Sequence, residues 1–218
     1  KWKPRNYGKK FYGPSPMRLG IEKSRNLMTI RLAQHIGMDA VATTAQRFRI
    51  VDRMPRLLSM ALGAGETTLL RITSAYAMLV NGGKRITPSF IDRIQDRNGK
   101  TVLRHDARPC KDCLVDKWDE SAPPDIPDTR EQVADPGSAY QIVSMLQGVV
   151  ERGTGRRIRA VGKPLAGKTG TTNNSLDTWF VGFAPDLAVG VFIGFDKPRS
   201  LGRRETGSSV AAPVFRDF

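Results

Sequence analysis

The run Ala166-Gly167-Lys168-Thr169-Gly170-Thr171-Thr172 places an ammonium group beside three hydroxyls, and it satisfies two unrelated chemical signatures at once. Read from Gly162, the stretch Gly162-Lys163-Pro164-Leu165-Ala166-Gly167-Lys168-Thr169 fits the phosphate-cradling P-loop, and Asp196 after an apolar run offers a Walker-B-like acid. That loop works only if its lysine opens a helix whose N-terminal amides and dipole face the phosphates. Thr169-Gly170-Thr171-Thr172-Asn173-Asn174 is among the poorest helix-forming runs in the chain, and Pro164 removes a backbone donor from the loop. Nucleotide binding is therefore not expected. The second signature, Lys-Thr-Gly on a strand, meets no such conflict. It has a possible partner far upstream, where Ser24-Arg25-Asn26 forms a Ser-x-Asn at the start of a helix. Taken alone, Ser24 reads more simply as the N-cap of that helix.

The elements that must hold these groups are legible from periodicity. Lys168 to Thr172, Thr178 to Ala184 and Leu187 to Phe195 are closely spaced strands, the last two joined by a tight Pro185-Asp186 turn. Trp179 and Phe180 read as strand and core residues rather than ligands. Upstream, Met17 to Gly37 reads as a short helical turn followed by a helix with Met28, Leu32 and Ile36 on its inner face and Gly37 as C-cap. Asp39 can cap a further helix that turns Val41, Ala42, Ala45 and Phe48 inward. A helix over about Thr67 to Asn81 groups Leu69, Ile72, Tyr76 and Leu79 and stops at Gly82-Gly83. Ser89 to Ile94 and Thr101 to Arg104 flank an Asn98-Gly99 turn and read as a hairpin. Asp135-Pro136 supplies the N-cap and first residue of a helix carrying Ile142, Met145, Leu146 and Val149. Ser209 to Phe218 starts a terminal helix, and Lys1 to Pro16 is an extended arm.

Length and composition bound what this can be. The 218 residues fit one large domain or two small ones, and 39% hydrophobic with 26% charged residues disfavours disordered and fibrous classes. The longest apolar run, Leu187 to Phe195, is about half of what a membrane-spanning helix needs, and no secretory signal pattern follows Lys1. The net charge of +14 is uneven: residues 1–56 carry 13 basic and 3 acidic side chains, residues 105–135 carry 4 and 9. The basic parts would attract a polyanion, or they are simply a solvated surface. Residues 105–135 are rich in Pro and Asp and read as an irregular insertion. Within it, Cys110 and Cys113 lack the context of a redox helix or a zinc site; a local staple in an oxidising compartment and a pair of reduced thiols both fit.

The motifs together resemble a family. Ser-x-Asn followed by Lys-Thr-Gly are the second and third motifs of the penicillin-recognising serine acyltransferases, the penicillin-binding proteins and serine β-lactamases. Met17-Arg18 leading to Lys23, Ala61-Leu62-Gly63, Val149-Val150-Glu151-Arg152-Gly153-Thr154-Gly155, Asp177 to Gly182 and Ile193-Gly194-Phe195-Asp196 are similar to the transpeptidase domain of class A penicillin-binding proteins. The cysteine insertion is similar to that of their proteobacterial type 1A branch. The resemblance implies an α+β fold, an antiparallel sheet with flanking helices, incomplete at its N-terminus. None of the chain's serines has a lysine three positions on, so the Ser-x-x-Lys nucleophile motif is expected upstream of Lys1.

By the same resemblance, Lys168 would supply positive charge beside Ser24, whose hydroxyl relays a proton to the leaving amine. Thr169 and Thr171 would offer hydroxyls to the substrate carboxylate, and the Thr171 amide would form half of an oxyanion hole. Asn26 would hold the substrate amide, Gly170 would keep the strand edge clear, and Thr172 would complete the binding strand. Ser24 and Lys168 are then expected within hydrogen-bond reach although 144 positions separate them. The implied activity is acyl transfer at D-Ala-D-Ala, with peptidoglycan stem peptides and β-lactam antibiotics as ligands, no metal or cofactor, and no nucleic acid. The implied setting is the periplasmic side of the bacterial inner membrane, reached through parts of a parent protein outside this chain. A fragment that binds peptidoglycan or a partner without catalysis is the alternative.

Overall fold

Residues 2–110, 113, 117 and 120–218 are described by a computed structural model. The arm before Pro16 holds no helix or strand among those residues, and helix α1 (Met17–Glu22) follows. A sharp turn then leads to α2 (Asn26–Ile36), closed by Gly37 at φ 86°. The inner face of α2 is not the expected one: Ile30 and Ala33 are buried, Met28 is half-buried, and Leu32 and Ile36 face solvent. Apolar residues lie on several sides of this helix, so their spacing does not single out one face. Its tertiary contacts, among them the turn at Leu58–Leu62, make the choice.

Helix α3 (Met38–Arg47) buries Ala42, with Phe48 buried just beyond its end. Asp39 does not cap it. Gly37 holds the cap position, and the Asp39 carboxylate instead accepts from Arg56 Nε at 2.7 Å. Helix α4 (Leu69–Val80) is capped by Thr68, whose hydroxyl accepts from the Arg71 amide at 3.2 Å. Gly82 and Gly83 end it with φ of 67° and 78°, values that suit glycine. The expected hairpin forms as β1 (Arg93–Gln95) and β2 (Thr101–Arg104), exposed on both faces. Asp96 closes its turn by accepting from the amides of Asn98 and Lys100.

Cys110 and Cys113 are bonded to each other, and the described residues around them carry no helix or strand. Helix α5 (Pro136–Glu151) begins as its sequence dictates, with the Asp135 carboxylate accepting from the Ser138 amide at 2.7 Å. The sheet that follows has the order β3 (Ala166–Thr171), β4 (Thr178–Phe183), β5 (Ala188–Ile193), all antiparallel. A one-turn segment at Gly207–Ala211 then runs into α6 (Ala212–Asp217).

Because side chains alternate along a strand, the register assigns the two faces. Ala166, Phe183 and Ala188 share a face with Leu146 and Val149 of α5 and Tyr76 and Leu79 of α4. On the other face, Phe180, Val189 and Val191 pack with Leu165, Ile158 and the α6 residues Ala212 and Phe215. The sheet is thus sandwiched, with α4 and α5 on one side and α6 on the other. Glycines permit the tightest approaches: a Cβ on Gly190 would lie 2.1 Å from the Thr73 hydroxyl, and one on Gly182 would lie 2.8 Å from the Phe215 ring.

Candidate active site

Lys168 is paired with Val181, and Thr169 with Phe180, so alternation sends Lys168 and Gly170 to the α5 side and Thr169 and Thr171 to the α6 side. Strand β3 lies at the edge of the three-stranded sheet, which leaves its outer rim open. Lys168 is partly buried there, and its ammonium donates to the Ser24 hydroxyl at 2.8 Å and to the Thr169 carbonyl at 3.0 Å. Burial pulls its pKa down to about 8, because the charged form loses hydration without gaining a carboxylate partner. No helix starts at Lys168; a short turn at Asn173–Ser175 follows the strand, so the geometry that a P-loop requires is not formed.

Ser24 is not an N-cap. Arg25 occupies that position, and Ser24 itself is held in a left-handed conformation at φ 52°. Two backbone bonds fix the turn: the Ser24 amide donates to the Ile21 carbonyl, and the Arg25 amide donates to the Gly20 carbonyl at 2.8 Å. A non-glycine residue in this region is uncommon and is kept there by its surroundings. The Ser24 hydroxyl accepts from Lys168, so its own proton remains available for donation.

The remaining expected site residues divide. Thr169 and Thr171 stay at the rim: the Thr169 hydroxyl is 2.7 Å from that of Thr154, and the Thr171 hydroxyl accepts from the Gly207 amide at 3.0 Å. Gly170 packs closely against the neighbouring strand, where a Cβ would come within 3.1 Å of Trp179 Cβ. Asn26 lies in the first turn of α2, where its carboxamide donates to the Arg5 carbonyl at 2.9 Å, so part of its hydrogen-bonding capacity serves the arm. Thr172 falls outside β3. Its hydroxyl accepts from the Asp177 amide at 2.8 Å and its amide donates to the Asp177 carbonyl, which makes it a staple of the β3–β4 turn rather than part of the binding strand.

Sequence reasoning gave no role to the connections behind Ser24. Glu22, 3% exposed, accepts two bonds from the Arg152 guanidinium at 3.0 and 2.6 Å, across 130 positions. Lys23 donates to the Arg152 carbonyl, and the Thr154 amide donates to the Glu22 carbonyl at 3.1 Å. The usable signal was Gly153-Thr154-Gly155, a threonine between two glycines directly after α5, which marks a close backbone approach.

The family profile described as Penicillin binding protein transpeptidase domain matches residues 1–218. The chain belongs to the penicillin-binding protein transpeptidase family. Penicillin-binding protein 1A of Rickettsia bellii is 51% identical over 219 residues, a match that covers 100% of this chain and 28% of the relative. The chain therefore spans a little over a quarter of the length of that relative. Among solved structures, penicillin-binding protein 1A from Haemophilus influenzae aligns at a TM-score of 0.82 and 28% identity, covering 99% of this chain and 35% of the other. The PonA1 protein from Mycobacterium tuberculosis in complex with penicillin V shares the fold at a TM-score of 0.77 and 21% identity, covering 97% and 57% of the two chains. The α+β architecture described above is that of penicillin-binding protein transpeptidase domains.

Proposed function

We propose that this chain is the recognition and proton-relay part of a serine D,D-transpeptidase, which cross-links peptidoglycan by acyl transfer at D-Ala-D-Ala and is acylated by β-lactams. The observation that carries the reading is the 2.8 Å contact between Lys168 and Ser24 at the open rim of β3. In the acylation step, a serine outside this chain attacks the scissile carbonyl, giving its proton to a base that also lies outside the chain, and the bond from that carbonyl to the terminal D-Ala nitrogen breaks. The departing D-Ala nitrogen takes the Ser24 proton, and Lys168 replaces that proton along the existing hydrogen bond. The Thr171 amide stabilises the developing oxyanion, and the Thr169 and Thr171 hydroxyls hold the terminal carboxylate. Family membership supports this reading, as does a protein of the same fold having been solved with penicillin V. The disulfide at Cys110 and Cys113 accords with a periplasmic location. Anchoring to the inner membrane would come from other parts of the protein, since no helix among the described residues is long and apolar enough to cross one.

The test is D-Ala release by the full-length protein from a donor pentapeptide ending in D-Ala-D-Ala, with an amine acceptor present. Ser24→Ala and Lys168→Ala are each expected to lower the rate by about 10²–10⁴-fold. Rates within a few-fold of wild type would remove the relay from the mechanism.

A further inference from the structure

Thr154 is fastened to both halves of the site. Its amide is bonded to the Glu22 carbonyl, two residues before Ser24, and its hydroxyl lies 2.7 Å from that of Thr169, next to Lys168. Gly153 makes the approach possible, because a Cβ there would fall 2.3 Å from the Glu22 carbonyl oxygen. The Arg152–Glu22 ion pair and the Lys23–Arg152 bond brace the same few residues. Among the described residues, the Thr154 hydroxyl has no other hydrogen-bond partner than Thr169.

A threonine hydroxyl carries one proton and two lone pairs, whereas a carboxylate only accepts. When Thr169 donates to a bound carboxylate, its proton is committed, so the Thr154–Thr169 bond must be donated by Thr154. The direction of the whole chain, Thr154 to Thr169 to carboxylate, is then fixed, and each bond polarises the next. The cleft beside this pair is lined by Gly153, Thr154, Arg156, Arg157 and Ser208, and neither arginine is in an ion pair among the described residues. The local charge therefore favours an anion at this end of β3.

We propose that Thr154 is a positioning residue for carboxylate recognition: by donating to Thr169, it turns the Thr169 proton toward the ligand's carboxylate. This inference rests on the transpeptidase reading above. It differs from a general structural role in one respect: it concerns the carboxylate and not the acylation chemistry.

The experiment measures the second-order acylation rate of the full-length protein by benzylpenicillin and by its methyl ester, which keeps the reactive ring and removes the anion. Wild type is expected to react faster with the acid than with the ester. Thr154→Val is expected to lose about tenfold on the acid, as for a hydrogen bond that supports a charged acceptor, and less than about twofold on the ester. Thr154→Ser, which keeps the hydroxyl, is expected to restore the acid rate. Equal losses on both probes, no loss on either, or failure of the serine variant to rescue would each overturn the proposal, as would a wild type indifferent to esterification. A wild type that neither probe labels would overturn the transpeptidase reading itself, and this inference with it.

Discussion

A lysine buried beside a neutral hydroxyl carries a stability cost, and under the proposed relay Lys168 is the residue where that cost can be set against chemistry. Its pKa of about 8 lies below the usual lysine range because of burial. A group whose pKa is lower in the folded state than in the unfolded one destabilises the fold wherever it is charged in both. The penalty is complete below pH 8 and fades as the pH rises toward the ordinary lysine value. Lys168→Met removes the buried charge and is expected to stabilise the domain at neutral pH, on the order of 1–2 kcal/mol after allowance for partial exposure. The same variant is expected to lose at least about 10²-fold in acylation rate. Urea denaturation and penicillin acylation of one preparation check both halves, and a destabilised but active variant would refute the account. The pH profile follows from the same number. Since the relay and the anion-holding field both use the ammonium form, acylation should fall as pH rises through about 8, and a rate that instead climbs through that range would make neutral Lys168 a base.

Among the elements, the one-turn segment at Gly207–Ala211 holds the α6-side rim of the site. Its Gly207 amide donates to the Thr171 hydroxyl, and a Cβ at Gly207 would lie 2.3 Å from the Trp179 carbonyl oxygen and 2.5 Å from that of Gly170. Both obstacles are strand backbone, so Gly207→Ala must push the turn away from β3. The expected cost is about 1–3 kcal/mol of stability, together with weaker acylation by carboxylate-bearing β-lactams; thermal melts and acylation rates read the two effects separately. How much of this was legible beforehand depended on the range of each interaction. Asp135-Pro136 announced the start of α5 because capping is a local transaction between neighbours, and the helix-poor run after Lys168 with the closely spaced segments that follow it announced β3, β4 and β5. The inner face of α2 was not legible, since its apolar residues surround the helix and only the fold decides which are covered. Thr172 was read as strand because hydrophobic pattern cannot distinguish the last strand residue from the first of a turn; the Asp177 bonds make that distinction. Glu22–Arg152 and Thr154–Glu22 join residues about 130 positions apart; the glycines flanking Thr154 mark a close approach, but no local rule names the partner.

At the scale of the whole molecule, the proposed function separates the substrate grip from the nucleophile. The sheet edge, the Ser24 turn and the Arg152–Thr154 brace bring the relay and the hydroxyls together, yet none of the chain's serines begins a Ser-x-x-Lys motif. Under the proposed function, these residues serve a serine supplied from outside residues 1–218. Losing a nucleophile removes most of the rate, which oxyanion donors and binding alone do not restore. The most direct measurement is intact-mass analysis after incubation with excess penicillin, with the 218-residue chain run beside the full-length protein and the adduct mapped by proteolysis. The account predicts one stoichiometric adduct on the full-length protein, at a serine upstream of Lys1, and none on the 218-residue chain. A stoichiometric adduct on Ser24, or on any other serine of this chain, would contradict it.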